Sequence, residues 1–283
     1  MSIQHIGVIG AGTMGNGIAQ ICACAGLRVT MIDVSDAAIE RGIAALTGSL
    51  ERLVKKDKLE PVQKDRALAL VHGATDYAAL QGTDLVIEAA TENLDLKLRI
   101  LRQIDALVPA DTVIATNTSS ISITQLAAVV THPERFIGAH FFNPVPMMAL
   151  LELIRGLQTS DDTHATAVEF AKAIGKSPIT AKNSPGFVVN RILCPMINEA
   201  IFALQEGLAS ADDIDTGMRL GCNHPIGPLA LADMIGLDTM LAVMQVFYDG
   251  FNDPKYRPAP LLKEMVAAGR LGRKTKVGFY SYA

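Results

Sequence analysis

The chain has 283 residues, 49% of them hydrophobic and 19% charged. That length suits two domains with buried cores and excludes the low-hydropathy, high-charge signature of disorder. Lys and Arg number 25 against 29 Asp and Glu, a formal charge of -4, so there is no dominant basic surface for nucleic acid and any bound anion must be gripped locally.

The first charged side chain is Arg28. No positive n-region precedes the apolar stretch, as a signal peptide requires. Gly7, Gly10, Gly12, Gly15, Asn16, Gly17 and Gln20 interrupt it, which a membrane-spanning helix of ~20 residues disfavours. A soluble, mature N-terminus with no membrane partner is therefore expected. Ile3 to Gly10 reads as a buried parallel strand, followed by a helix that starts in glycines and ends at Gly26. Arg28 to Asp33, Leu85 to Ala90 and Thr112 to Thr116 read as further strands with helical segments between them, the alternation of a doubly wound parallel α/β sheet. The long stretch from Asp33 to a short strand near Ala69 to His72 exceeds one crossover helix. Its apolar spacing, interrupted near Pro61, predicts an inserted helical pair projecting from the sheet. Phe136 to Asn143 and Met148 to Ile154 are two more strands around a turn at Pro144 and Pro146.

After Asn183, Ser184, Pro185 and Gly186 only helical patterns remain. The expected division is residues 1–184 as a Rossmann-like domain and 185–283 as an all-α domain. Its helices are read at Phe187 to Glu206, after an N-cap at Ser210, at Ala230 to Phe247 and at Leu261 to Ala268. So dense an apolar helical segment is a natural homodimer contact. Cys22, Cys24, Cys194 and Cys222 lack metal-pair spacing. They are expected to be buried, reduced structural thiols in a cytoplasmic protein, with no metal site.

Gly10 to Gly15 spells GAGTMG between a strand and a helix. Gly10 permits the tight turn, Gly12 lets a pyrophosphate approach the backbone and Gly15 allows close helix packing, while the helix N-terminus favours the anion. Thr13 and Met14 belong to the same binding turn. Asp33 closes the second strand, where its carboxylate can bond both ribose hydroxyls and would repel a 2'-phosphate; Val34 and Ser35 follow, with no arginine. NAD is thus favoured over NADP.

Of six histidines, His5, His72, His132, His164 and His224 suit ordinary structural or surface roles. His140, towards the end of its strand, could meet Glu152 in the next strand if the two pair antiparallel. A carboxylate beside an imidazole steadies the ring as it takes up a proton, the acid/base arrangement that alcohol oxidation requires. A structural histidine is the alternative from spacing alone.

GAGTMG, TNTSSISI at Thr116 to Ile123, HFFNPVP at His140 to Pro146, LLELI, SPGFVVNRIL at Ser184 to Leu193, HPIGPLALAD and the terminal GRKTKVGFY together resemble the short-chain L-3-hydroxyacyl-CoA dehydrogenases. The likeness runs from residue 3 to 282. It implies NAD as cofactor, an acyl-CoA substrate, a place in fatty-acid metabolism such as β-oxidation or butanoate metabolism, a dimerising helical domain and a site in the cleft between domains. Carried over residue by residue, it makes His140 catalytic, Glu152 its orienting acid, and Ser119 and Asn190 substrate-binding. Ser119 could alternatively cap a helix, and Asn190 could be an inward polar residue. The implied cofactor contacts extend to Glu92, Lys97, Asn117, Ser119, Asn143 and Lys274, with Glu92 and Lys97 equally readable as solvated helix-end charges. Ser49 and Lys56 fall in the implied coenzyme A region, where Arg52, Lys55 and Lys58 add positive charge, although an ordinary charged face reads the same. Lys276 stands where the resemblance leads one to expect glycine.

The implied reaction is reversible oxidation of an L-3-hydroxyacyl-CoA to the 3-ketoacyl-CoA. Its rivals are a dehydrogenase of a free hydroxy or sugar acid and a non-catalytic dinucleotide-binding protein.

Overall fold

Apolar runs with glycine at their ends build the first half of the chain. The computed structural model describes residues 3–283 and divides into two units, one ending at Ser184 and the other running from Pro185 to Ala283. In chain order the first contains β1 (His5–Ile9), α1 (Thr13–Cys24), β2 (Arg28–Ile32), α2 (Asp36–Val54), α3 (Pro61–Ala69), β3 (Val71–Ala74) and β4 (Leu85–Glu88). It continues with α4 (Leu94–Asp105), β5 (Val113–Thr116), α5 (Ile123–Ala127), β6 (Phe136–Phe141), β7 (Leu150–Arg155), α6 (Asp161–Ala173) and β8 (Ser177–Lys182). The sheet order is β3-β2-β1-β4-β5-β6-β7-β8. All neighbours are parallel except β6 and β7. The first six strands follow the doubly wound dinucleotide-binding order.

Both faces of the sheet are covered, so its inner strands are buried on successive residues: β4, β5 and β6 have no exposed position. Side chains cap the helices that follow. Ser35 Oγ accepts the Ala38 N–H, Asn93 Oδ1 the Leu96 N–H and Ser122 Oγ the Gln125 N–H. The inserted helical pair is present as α2 and α3. Ile39, Gly42, Leu46 and Leu50 of α2 are buried, and the pair packs along α1 and β3. Burial of a leucine contributes about 1.5–3 kcal/mol, which holds the base of the pair against α1 and β3.

Arg135 fastens the start of β6 to the segment before β5. Its side chain, 6% exposed, donates to Asp105 at 2.6 Å and to the carbonyl of Pro109. Burial raises the Asp105 pKa, but the Thr131 hydroxyl and N–H and the Arg135 guanidinium outweigh it and hold this carboxyl below its ordinary value. A depressed carboxyl contributes stability above its unfolded pKa of about 3.9, and that contribution disappears as pH falls through the lower folded value. Asp105→Asn should therefore cost about 3 kcal/mol at neutral pH, with the gap to the parent narrowing once the pH drops below about 4. Melting curves across that range provide the check; a gap independent of pH would refute the assignment.

The second unit comprises α7 (Val189–Gln205), α8 (Ala211–Gly221), α9 (Pro228–Ile235), α10 (Leu237–Phe251) and α11 (Pro260–Ala267). Its core includes Ile197, Ile201, Leu229, Met240, Met244, Phe247 and Leu262. Ser210 caps α8 as expected from its sequence. The single helix expected from Ala230 to Phe247 is instead two, bent by 98° at Gly236, whose φ of +101° only glycine adopts readily. No single helix among the described residues is long and apolar enough to cross a membrane. The tail is not purely helical, since Val277 bridges to Gly272 and Ser281.

Two buried aspartates organise this unit. Asp215 accepts the N–H groups of Leu229 and Ala230 and the Tyr280 hydroxyl at 2.8–2.9 Å. Asp233, 1% exposed, accepts the N–H groups of Phe279 and Tyr280 and the Tyr282 hydroxyl at 2.9–3.0 Å. Lys276 has φ +62°, so it occupies the backbone region where glycine costs least. All four cysteines are free thiols; Cys22 and Cys194 are buried, whereas Cys24 and Cys222 are exposed, contrary to the expectation of burial. Burial pushes the Cys194 thiol up to about 12.

Candidate active site

Parallel order brings the carboxyl ends of β1, β4, β5 and β6 to one edge of the sheet. At β1 the chain turns through Gly10, whose φ is +101°. A Cβ there would lie 2.8 Å from the Ala89 carbonyl oxygen, and one on Gly15 would lie 1.7 Å from the Gly10 oxygen. A Cβ on Gly12 would meet nothing within 4 Å. Two glycines thus lock helix α1 against the strand while the middle one leaves open space beside the first turn. That turn has no acidic side chain, and the Gly12 cap position supplies no side-chain bond to it, so its N–H groups suit an anion. Thr13 and Met14 open the helix. Asp33 Oδ2 accepts the Ala11 N–H and its Oδ1 accepts the Val34 N–H, both at 2.7 Å, so the acid expected at the ribose also braces the glycine turn. These features fit a dinucleotide.

Beyond β4, Glu92 accepts the Thr118 hydroxyl at 2.7 Å, the Ser119 N–H at 2.8 Å and the Ser119 hydroxyl at 3.0 Å. Glu92 is thus an exposed carboxylate that braces the Thr118–Ser119 turn, and Ser119 is not a helix cap, a task done by Ser122. A Ser119 hydroxyl engaged by Glu92 is not at the same time a donor to substrate. Lys97 departs from the reading as a solvated helix-end charge. It is 1% exposed and its Nζ donates to Glu88 and, at 3.3 Å, to Thr116 Oγ1. Enclosed in this way, it braces the strand ends through Glu88 and Thr116. The Thr116 hydroxyl donates to the same Glu88 carboxylate at 2.7 Å. Neither Glu88 nor Thr116 figures among the expected site residues. A signal existed: Lys97, Ile100, Leu101 and Ile104 share the buried face of α4, and a cation on such a face needs a buried acid.

The register carries the argument to the next strands. Thr116 pairs with Gly138 across β5 and β6, so His140 stands two residues beyond the last paired position. Asn117 Oδ1 accepts the Phe141 N–H at 2.8 Å, fixing the end of β6; this amide holds backbone next to His140. Across the antiparallel pair His140 is opposite Glu152. His140 Nδ1 lies 2.7 Å from Glu152 Oε2, with the two side chains 8% and 0% exposed. A carboxylate so enclosed accepts a hydrogen bond from Nδ1–H, which makes Nε2 the nitrogen for proton exchange. The Phe142 ring packs 4.6 Å from the imidazole, and Asn143 follows, exposed, at the turn.

The remaining expected residues lie elsewhere. Ser49 is half-buried on α2, and Arg52, Lys55, Lys56 and Lys58 are exposed at its C-terminal end and in the turn after it, where cations also favour the helix dipole. In the second unit Asn190 occupies the first turn of α7, half-buried, and Lys274 Nζ is paired with Asp238. Among the other histidines, His5 bonds Thr30 and His164 bonds Thr180, the structural roles expected of them.

A doubly wound sheet carrying a dinucleotide turn and an acid-backed imidazole on one edge defines an NAD-dependent oxidoreductase. Residues 5–184 match the NAD binding domain of 3-hydroxyacyl-CoA dehydrogenase and residues 186–282 its C-terminal domain. The chain belongs to the 3-hydroxyacyl-CoA dehydrogenase family. It is 50% identical to a 3-hydroxybutyryl-CoA dehydrogenase of Bradyrhizobium diazoefficiens, covering 99% of this chain and 96% of that one. With a crystal structure of (S)-3-hydroxybutyryl-CoA dehydrogenase from Ralstonia eutropha it shares 67% identity and a TM-score of 0.98, with 100% of both chains covered.

Proposed function

We propose that the protein catalyses the reversible, NAD-dependent oxidation of (S)-3-hydroxybutyryl-CoA, and of similar short-chain L-3-hydroxyacyl-CoA thioesters, to the 3-ketoacyl-CoA. The observation that carries this reading is the 2.7 Å contact between His140 Nδ1 and Glu152 at the carboxyl ends of the strands. In oxidation, His140 Nε2 takes the C3 hydroxyl proton while Glu152 stabilises the imidazolium that forms. Bound NAD+ supplies the acceptor for the C3 hydride. In reduction, the imidazolium protonates the oxygen that develops at C3. Gly10, Gly12, Thr13, Met14 and Gly15 hold the pyrophosphate and Asp33 the ribose. Glu92, Asn117, Asn143 and Lys274 complete the proposed cofactor set, and Lys97 acts from behind Glu88.

With its proton engaged by Glu92, Ser119 offers lone pairs to the bound pair, and Asn190 is the proposed amide donor to a substrate oxygen. Ser49, Lys56 and their basic neighbours are the proposed grip on coenzyme A phosphates. Free cysteines support a reducing, cytoplasmic setting. Exposed Ile192, Leu208 and Leu220 support homodimerisation through the helical unit. The test follows NADH absorbance with acetoacetyl-CoA, with acetoacetate lacking the coenzyme, and with longer 3-ketoacyl thioesters. Turnover of the thioester alone is expected; equal turnover of acetoacetate would replace this reading with that of a free hydroxy-acid dehydrogenase.

Asp33→Ala should weaken NADH binding about 10- to 100-fold, the equivalent of about 1.5–3 kcal/mol for a hydrogen bond to a charged group. It should weaken NADPH binding far less, because the charge opposing a 2'-phosphate has gone. Fluorescence titration with both nucleotides measures this, and undiminished discrimination would remove Asp33 from the ribose.

A further inference from the structure

Behind the turn that follows His140 sits a buried cation whose ammonium donates to main-chain carbonyls. Lys176, 8% exposed, lies between α6 and β8. Its Nζ donates to the carbonyl oxygens of Val145 at 2.5 Å and Met148 at 2.6 Å. Burial lowers the pKa of its ammonium. An ammonium removed from water is costly unless its protons are satisfied, and an apolar side chain of similar length would fill the same space without that cost. The two acceptors bracket the turn Val145 to Met148, which begins at Pro144 and joins β6 to β7.

The same turn also rests on the dinucleotide helix. Val145 is 2% exposed, and a Cβ on Gly17 of α1 would lie 2.8 Å from Val145 Cβ. The segment from His140 through Asn143 therefore runs from the Glu152 pair into a turn gripped by Lys176 and seated against α1. Among the described residues, no other side-chain hydrogen bond reaches the carbonyls of Val145 or Met148.

We propose that Lys176 is a positioning residue for the dehydrogenase reaction, holding the Val145 to Met148 turn against α1 so that His140 and Asn143 keep their places relative to the glycine turn. The inference rests on the function proposed above. A loose turn displaces the imidazole by fractions of an ångström, and misplacement of about 1 Å costs on the order of 100-fold in rate.

The test compares the parent with Lys176→Met, Lys176→Arg and His140→Gln in steady-state reduction of acetoacetyl-CoA by NADH, with circular dichroism reporting the folded fraction. In Lys176→Met, kcat should fall about 10- to 100-fold while KM for the thioester stays within about threefold and the folded fraction is that of the parent. Lys176→Arg, which restores a cationic donor, should recover part of that loss. If Lys176→Met does not fold, Gly17→Ala disturbs the same turn from the α1 side and should give the same split between kcat and KM. Parental kcat in the folded Met variant, or in Gly17→Ala where that substitutes for it, overturns the inference. So does a loss that only tracks the folded fraction, or an Arg variant no better than Met. If His140→Gln remains fully active, the proposed reaction itself fails. An inactive His140→Gln beside an unaffected Lys176→Met removes only the role of Lys176.

Discussion

His140→Gln should lower kcat by about 10² to 10⁴, the range that a positioned general acid or base contributes, while NADH binds as before. Glutamine retains a side-chain donor towards Glu152 but exchanges no proton at neutral pH, so the substitution isolates proton transfer from the packing of β6 against β7. The Glu152 carboxylate, 0% exposed, stays hydrogen-bonded, which keeps loss of stability from masquerading as loss of chemistry. Stopped-flow reduction of acetoacetyl-CoA gives the chemical step and a fluorescence titration gives the NADH affinity. Parental turnover in a folded variant would leave the reaction without its proton carrier.

Gly15→Ala should abolish dinucleotide binding and destabilise the first unit, because the new Cβ would lie 1.7 Å from the Gly10 carbonyl oxygen. Either α1 retreats or the turn at Gly10 opens, and forcing atoms into a packed site costs about 1–3 kcal/mol, occasionally more. Gly12→Ala separates the two effects. Its Cβ has no protein atom within 4 Å, so stability should stay within about 1 kcal/mol of the parent while NADH affinity falls at least 10-fold, the methyl occupying space proposed for pyrophosphate. Calorimetry on both variants reads stability and affinity together. Parental NADH binding by Gly12→Ala would mean that the open side of the turn faces no ligand.

The sheet was readable because parallel strands buried on both faces print continuous apolar runs, and β1, β2, β4 and β5 differ from the sequence reading only by terminal residues that leave the ladder to enter loops. His140 and Glu152 could be paired from sequence because consecutive strands joined by a short turn are usually neighbours. The bend at Gly236 was missed because apolar spacing continues across it, and only the backbone angle reveals the break. The Glu88, Thr116 and Lys97 cluster was missed for a related reason. Strand-end and helix-face residues distant in the chain meet only once parallel register is known. Lys176 has no sequence motif at all; its partners are main-chain carbonyls, which any residues could provide.

The hold of Asp233 on Phe279, Tyr280 and Tyr282 has a consequence for synthesis of the protein. A nascent chain that has emerged only as far as Gly278 contains every helix of the second unit, yet the Asp233 carboxylate still lacks the three donors that satisfy it in the finished fold. Closure of that unit thus requires Phe279, Tyr280 and Tyr282 in place, because a buried carboxylate without its donors is costly.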